Sequence, residues 1–111
     1  MDTQAIGRVL NNLIGNALRH TSNRGRVSVF VRRTTQGVEL TVSDTGTGIR
    51  ADDLPHIFER FYRGDAARSR SRGTGAGLGL AIARGIVQAH GGDIKVDSEI
   101  GKGTQFTFYI P

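Results

Sequence analysis

The residues of this 111-residue chain best suited to chemistry are two asparagines, an aspartate and a run of glycines. Asn12 and Asn16 stand four apart beside aliphatic residues, although asparagine favours helices poorly because its side chain competes with backbone hydrogen bonds. An amide oxygen suits Mg²⁺, which prefers oxygen ligands and keeps several waters. Arg19, one turn further on, suits a phosphate group. The alternative is that the two amides merely cap a neighbouring loop.

Asp44 follows Val38, Leu40 and Val42, which alternate with polar residues as in a strand. Because side chains two apart share one face, Asp44 should point towards the helices, where a carboxylate needs a hydrogen-bond donor. The glycines of the following DTGTG segment would let the backbone approach a ligand closely. The alternative is an ordinary turn, since Asp and Gly are common turn residues.

A second group of glycines, GTGAGLGL at 73–80, precedes a predicted helix. Free N–H groups and the helix dipole attract anions at such a position. The spacing lacks the third glycine of the dinucleotide fingerprint and the Lys-Ser or Lys-Thr of a phosphate loop. The alternative is a flexible surface loop, although each glycine inside a helix costs about 1 kcal/mol, which argues mildly for a role.

Hydrophobic periodicity predicts the elements that must position these groups. Asp2 or Thr3 would cap a first helix, whose predicted buried stripe is Ile6, Val9, Leu10, Leu13, Ile14, Ala17 and Leu18. Alternating residues predict two antiparallel strands joined by TTQG, with Val27, Val29 and Val31 on the first. A second amphipathic helix, marked by Leu78, Ala81, Ile82, Ile86 and Ala89, precedes two more strands, DIKVDSE and TQFTFYI. This order predicts an α+β fold, a two-layer sandwich in which helices cover one face of an antiparallel or mixed sheet.

Composition narrows the class of protein. The length fits one domain, and 37% hydrophobic residues support a modest core. The lack of cysteine excludes disulfides and Cys-ligated metals. A net charge of +5 favours an anionic ligand, such as phosphates, nucleic acid or an acidic partner, or simply a solvated basic face. The aromatic share of 6% argues against a base-stacking surface.

The order of the motifs is more specific than any one of them. NNLIGNALRHT, DTGTGI, IFERFYR, GTGAGLGLAI and GKGTQF resemble, in that order, the N, G1, F, G2 and final Gly-Thr boxes of sensor histidine kinases. Their ATP-binding catalytic domains belong to the wider family of gyrase, MutL and heat-shock chaperone ATPases. The resemblance implies one domain over residues 1–111 with the Bergerat fold, in which ATP lies between helices and a mixed, mostly antiparallel sheet. It also implies that the N-terminal part, where relatives carry a further strand and helix, is shortened.

The resemblance assigns roles to individual residues. Asn16 matches the Mg²⁺ ligand and Asn12 its neighbour in the N box, while Arg19 and His20 match positions near the phosphates; Asn16, Arg19 and His20 are the expected catalytic set. Asp44 matches the aspartate that binds the adenine amino group. Residues 64–76 look like the ATP lid. The remaining expected nucleotide-binding positions are Gly46, Gly48, Ile49, Phe58, Phe61, Arg63, Gly75, Gly77, Leu78, Gly79 and Thr104.

The implied activity is transfer of the γ-phosphoryl group from Mg·ATP to a histidine. No histidine of this chain lies in a His-Glu-x-x-x-Pro acceptor context, so the expected acceptor is a helical dimerisation domain of the same or a separate chain. A response regulator would be an indirect partner. The expected location is cytoplasmic, with a membrane reached only through other parts of the kinase, and no nucleic-acid partner is expected.

Other interpretations remain open at this point. A hydrolytic ATPase or an anti-sigma serine kinase of the same family would commonly carry a glutamate general base where this chain has Asn12. A non-catalytic nucleotide-sensing module is a further possibility. A nucleic-acid binder could use the basic residues Arg63, Arg68, Arg70 and Arg72.

Overall fold

A computed structural model of the chain describes residues 3–22, 24–59 and 79–111. The elements in chain order are α1 (Thr3–His20), β1 (Val27–Thr34), β2 (Gly37–Asp44), a short 3-10 helix (Leu54–His56), α2 (Gly79–Ala89), β3 (Asp93–Glu99) and β4 (Gly103–Ile110). Within the described residues, the predicted order of helix, strand pair, helix and strand pair is confirmed. The predictions made for Asp2, Phe61, Arg63, Gly75, Gly77, Leu78 and the lid at 64–76 lie outside the described residues.

The described strands form one sheet in the order β1-β2-β4-β3, and every neighbouring pair is antiparallel. Because side chains alternate along a strand, residues opposite one another form rows across each face. Two rows on the helix-facing side are apolar throughout: Val29, Val42, Phe106 and Val96, and then Val31, Leu40, Phe108 and Ile94. The predicted α+β sandwich is therefore confirmed, with the described part of its sheet entirely antiparallel.

Both helices pack on this apolar surface and on each other. The residues that α1 buries are Ile6, Val9, Leu13 and Ala17, and those that α2 buries are Ala83 and Val87. They share one core with the inward residues of β2, β3 and β4. Burying such side chains contributes most of the stabilising free energy in a domain of this size. Neither helix in the described part of the chain combines the length and apolar character needed to cross a bilayer.

Two details of the predicted core were wrong. Leu18 is 60% exposed at the end of α1, so the buried stripe ends at Ala17. On α2, Ile82 and Ala89 face solvent while Ala83 and Val87 are buried. This helix is apolar around most of its circumference, so periodicity did not fix which side meets the core. Val29 and Val31 lie on the helix-facing side, yet both are exposed because β1 is an edge strand that α1 covers less than β2.

Candidate functional site

The helix-facing side of the sheet becomes polar in its last row. In this row Asp44 of β2 lies between Val27 and Thr104, and Thr104 lies opposite Ser98 of β3. Asp44 and Thr104 are only 6% and 8% exposed, and they are the two buried polar residues of the described chain. The inward orientation predicted for Asp44 from strand alternation is confirmed. A buried polar row at the end of an apolar surface marks the place where specific hydrogen bonds can be offered to a ligand.

The two oxygens of the Asp44 carboxylate have different environments. Oδ1 accepts hydrogen bonds from the backbone N–H groups of Gly46 at 2.8 Å and Thr104 at 3.3 Å. Oδ2 has no partner among residues 3–22, 24–59 and 79–111, where no fully buried side-chain oxygen or nitrogen lacks one. Oδ2 must therefore reach the accessible surface. The backbone holds the carboxylate in place through one oxygen and leaves the other free to accept a hydrogen bond from a ligand.

The glycines after Asp44 allow close contact between segments of protein backbone. A Cβ atom on Gly46 would lie 2.2 Å from the carbonyl oxygen of His20, and one on Gly48 would lie 2.2 Å from that of Glu99. Gly48 also has a φ of +81°, a conformation that favours glycine. The N–H of Thr47 donates to the His20 carbonyl at 3.2 Å. These glycines thus hold the loop between the end of α1 and the β3–β4 hairpin, a role that the sequence did not predict.

A serine outside the predicted set connects this loop to the polar row. Ile49, a predicted site residue, is half-buried against the core, and its N–H donates to Ser98 Oγ at 2.8 Å. The Ser98 hydroxyl also lies 2.8 Å from Thr104 Oγ1. Alternation within DIKVDSE could have placed Ser98 on the inward side, because Ile94, Val96 and Ser98 are every second residue of the strand and share one face.

The two asparagines of α1 have different roles. Asn12 Nδ2 donates a hydrogen bond of 3.1 Å to the carbonyl oxygen of Gly79, the first residue of α2. Asn12 therefore fits the alternative in which an amide caps a neighbouring segment. Asn16 is half-buried, and its amide has no hydrogen-bond partner in the described part of the chain. The bond from Asn12 uses its amide nitrogen only, so among the described residues the side-chain oxygens of both asparagines lack a partner. The exposed Arg19 folds its guanidinium back beside Gly15.

His20, the last residue of α1, lies beside the loop that follows Asp44, since its carbonyl oxygen accepts from Thr47 N–H. Desolvation of the imidazole lowers the pKa of His20 below 6.5, and the positive charge of Arg19 lowers it further. The negative charge of Asp44 acts in the opposite direction. Protonation of His20 is therefore less favourable in the folded chain than in the unfolded chain. A neutral imidazole can accept or donate a hydrogen bond, depending on its tautomer.

The lowered pKa of His20 predicts that acid destabilises the fold. Below 6.5 the unfolded chain binds a proton at this histidine more readily than the folded chain does, so the free energy of unfolding should fall as the pH drops from 6.5 towards the folded-state pKa. Urea titrations at about pH 7.5 and about pH 5.5 measure this change. In His20→Gln, which cannot titrate, the decrease should be smaller. An equal decrease in both proteins would contradict the assignment.

Phe58 and Gly79 occupy the side of the site nearest α2. The Phe58 ring packs edge-to-face on Phe106, with centroids 6.1 Å apart, and the guanidinium carbon of Arg84 lies 5.4 Å from its centroid. These contacts are within the protein and fasten the segment after the 3-10 helix to the core and to α2. Gly79 opens α2, and a Cβ there would lie 3.9 Å from Asn12, so this position leaves room beside the helix N-terminus.

The structure thus brings two groups of predicted residues together. Asp44, Gly46 and Thr104 share hydrogen bonds at the polar row, with Ile49 joined to them through Ser98. Asn12 and Gly79 meet where α1 contacts α2. Within the described ranges no three His, Cys, Asp or Glu side chains are grouped so that they could hold a metal ion.

Comparison with known families and proteins agrees with this geometry. The profile of a family described as histidine kinase-, DNA gyrase B-, and HSP90-like ATPase matches residues 1–111. Sensor histidine kinase WalK of Bacillus subtilis is 48% identical over 113 residues, which cover 100% of this chain and 18% of WalK. Sensor histidine kinase RppB of Synechocystis is 48% identical over 104 residues, 94% of this chain and 23% of RppB. The chain thus spans only about a fifth of the length of these curated relatives.

Solved structures with the same fold include those of MprB and ShkA. The mycobacterial sensor histidine kinase MprB superposes with a TM-score of 0.84 at 34% identity, covering 100% of this chain and 74% of that one. Full-length ShkA, crystallised in complex with AMPPNP, gives a TM-score of 0.83 at 35% identity, covering 100% of this chain and 22% of ShkA.

Proposed function

Because this chain belongs to the family of histidine kinase-, DNA gyrase B- and HSP90-like ATPases, we propose that it is the ATP-binding catalytic domain of a sensor histidine kinase in two-component signalling. In this proposal residues 1–111 form one catalytic domain. It transfers the γ-phosphoryl group of Mg·ATP to a histidine on a helical dimerisation domain, in the same or a separate chain. A response regulator then receives the phosphoryl group from that histidine. The domain would act on the cytoplasmic side of a membrane-anchored sensor.

The Asp44 carboxylate is the observation that carries the proposal. It is buried at the end of an apolar sheet face, and its Oδ2 is free to accept a hydrogen bond. An adenine ring suits this place, because its flat faces are apolar while its amino group donates hydrogen bonds. Thr104 lies opposite Asp44 in the same row, and Ile49 is joined to Thr104 through the Ser98 hydroxyl.

The phosphates and Mg²⁺ would lie between Asn16 and the start of α2. Asn16 offers an amide oxygen without a partner among residues 3–22, 24–59 and 79–111, and Arg19 offers a positive charge on the same side of α1. The N-terminus of α2 at Gly79 adds the positive end of a helix dipole. When bound, Mg²⁺ would supply charge neutralisation for the transferring phosphoryl group. His20 completes the catalytic set, and Phe61, Arg63, Gly75, Gly77, Leu78 and the lid at 64–76 remain predicted contributors.

A kinase acting on a separate acceptor is favoured over a hydrolytic ATPase or a serine kinase. Water activation needs a general base within reach of the attacking oxygen. The sequence of α1 contains no carboxylate, and Asn12, which occupies the position of the expected glutamate, donates its amide to Gly79. Slow hydrolysis follows, because this helix offers no carboxylate that could act as the general base for water.

Phosphotransfer from labelled ATP tests the proposal. Incubated with γ-labelled Mg·ATP alone, the chain should gain no stable label and release phosphate slowly. With an added helical domain that carries a His-Glu-x-x-x-Pro motif, label should appear on that domain, because binding places its imidazole in line with the γ-phosphorus. The new bond joins phosphorus to a ring nitrogen as ADP leaves, so the label should be acid-labile and base-stable. Rapid phosphate release without the acceptor would instead support the hydrolytic alternative.

A further inference from the structure

We infer that Ser98 fixes the orientation of the Thr104 hydroxyl and thereby makes the candidate pocket select 6-amino over 6-oxo purines. The inference rests on the proposed function, because it concerns the base that binds beside Asp44. Ser98 would be a positioning residue, since it acts on the base through Thr104. It lies in the same cross-strand row as Thr104 and Asp44, on the far side of Thr104 from the carboxylate.

The Ser98 hydroxyl is the centre of three hydrogen bonds. Its Oγ accepts from the backbone N–H of Ile49 at 2.8 Å. It donates to the carbonyl oxygen of Gly103 at 3.0 Å. Its third neighbour is Thr104 Oγ1, also at 2.8 Å, and the positions of the oxygens alone do not say which hydroxyl donates.

The hydrogen-bonding capacity of a hydroxyl decides this question. A hydroxyl has one donor and two acceptor lone pairs. The single Ser98 proton is directed to Gly103, and one lone pair receives the proton of Ile49 N–H. The remaining bond can form only if Thr104 donates to Ser98. This is the one assignment that satisfies all three contacts, and half-buried polar groups favour complete satisfaction.

The pocket side of Thr104 then presents lone pairs only. Its proton is committed to Ser98, so Thr104 Oγ1 can only accept from a ligand, and the adjacent Asp44 carboxylate also only accepts. An exocyclic amino group offers two N–H donors to this pair of acceptors. A 6-oxo group would point its own lone pairs at Thr104 Oγ1 and at the Asp44 carboxylate, which are also acceptors. A site built to accept from a donor group discriminates strongly against a ligand without that donor.

Paired nucleotide titrations of the full chain test this role. The dissociation constants of ATP and ITP, whose purine rings differ in carrying a 6-amino or a 6-oxo group, are measured by calorimetry for wild type, Ser98→Ala and Thr104→Val. In Ser98→Ala the Thr104 hydroxyl is released and can turn to donate. The ITP-to-ATP ratio of dissociation constants should fall about three- to tenfold, the effect of one hydrogen bond. Thr104→Val should lower it similarly, whereas Thr107→Val, on the outer face of β4, should not.

A double-mutant cycle separates positioning from a general structural effect. If Ser98 acts through Thr104, then adding Ser98→Ala to Thr104→Val should leave the ratio unchanged. Equal weakening of both nucleotides by Ser98→Ala, or additive effects in the double mutant, would overturn the inference while the proposed function stands. Absence of ATP binding by the wild type would overturn both. Thermal unfolding confirms that each variant is folded, and Ser98→Cys, whose thiol is a weak acceptor of similar size, replaces Ser98→Ala if alanine is not tolerated.

Discussion

Replacing Asp44 by asparagine is expected to weaken Mg·ATP binding by about 1.5–3 kcal/mol, or roughly ten- to 150-fold, which is the range for a hydrogen bond to a charged group. An asparagine of the same shape can still accept through one oxygen from the N–H groups of Gly46 and Thr104. Its NH₂ group would then occupy the place of Oδ2. A donor would face the amino group of the base, so the substitution replaces an attraction with a repulsion.

Calorimetric titration with Mg·ATP measures this loss, and Asp97 provides the matched control. Asp97→Asn removes the same charge from an exposed side chain on the outer face of β3. Asp97→Asn should change the affinity for Mg·ATP only slightly, as expected for the loss of a screened surface charge. If Asp44→Asn binds Mg·ATP within about twofold of wild type, then Asp44 does not contact the base.

Gly46→Ala is expected to lower the free energy of unfolding by about 1–3 kcal/mol or more, as for other overpacked sites. The new Cβ would lie 2.2 Å from the His20 carbonyl oxygen and 2.9 Å from Asp44 Oδ1. The carbonyl belongs to the last residue of α1, so relief requires movement of the helix or of the loop. The same movement would displace the Asp44 carboxylate, and nucleotide binding should weaken together with stability.

Urea unfolding measures the free energy of unfolding of Gly46→Ala and of the control Gly85→Ala, each relative to the wild type. Gly85 lies in α2 with nothing within 4 Å of its would-be Cβ. There alanine should stabilise the protein by up to about 1 kcal/mol, since glycine disfavours helices. Opposite signs at the two sites are the expected result. A Gly46→Ala protein as stable as the wild type would show that the loop does not depend on this close contact.

Local patterns in the sequence predicted most of the architecture. Strand alternation placed Asp44 on the inward side because side-chain direction has a period of two, whatever the rest of the protein does. Helix periodicity likewise located α1, but on α2 it could not choose between Ile82 and Ala83, because apolar residues surround most of that helix. The exposure of Val29 and Val31 depends on β1 being an edge strand, which is a property of the whole sheet.

Contacts between distant segments set the parts of the site that the sequence did not predict. Asn12 was matched to the neighbour of Asn16 in the N box, but the sequence did not reveal that its partner is Gly79, which is 67 residues away. Gly46 and Gly48 suggested space for a ligand, whereas they make room for the backbone of α1 and of the β3–β4 hairpin. Ser98 gained its place only when β3, β4 and the loop carrying Ile49 came together. Such roles depend on tertiary geometry, which spacing along the chain does not encode.

The position of the nucleotide is the central claim, and an amide NMR titration of the chain with Mg·ADP tests it most directly. Binding at the polar row should shift the backbone signals of residues 44–49, of Ser98 and of Thr104, together with those of the second half of α1. Signals from the outer face of the sheet should stay in place. Thr41 and Thr107 report on that face, where their Oγ1 atoms lie 3.3 Å apart. Shifts confined to that outer face, or no shifts at saturating nucleotide, would contradict the account.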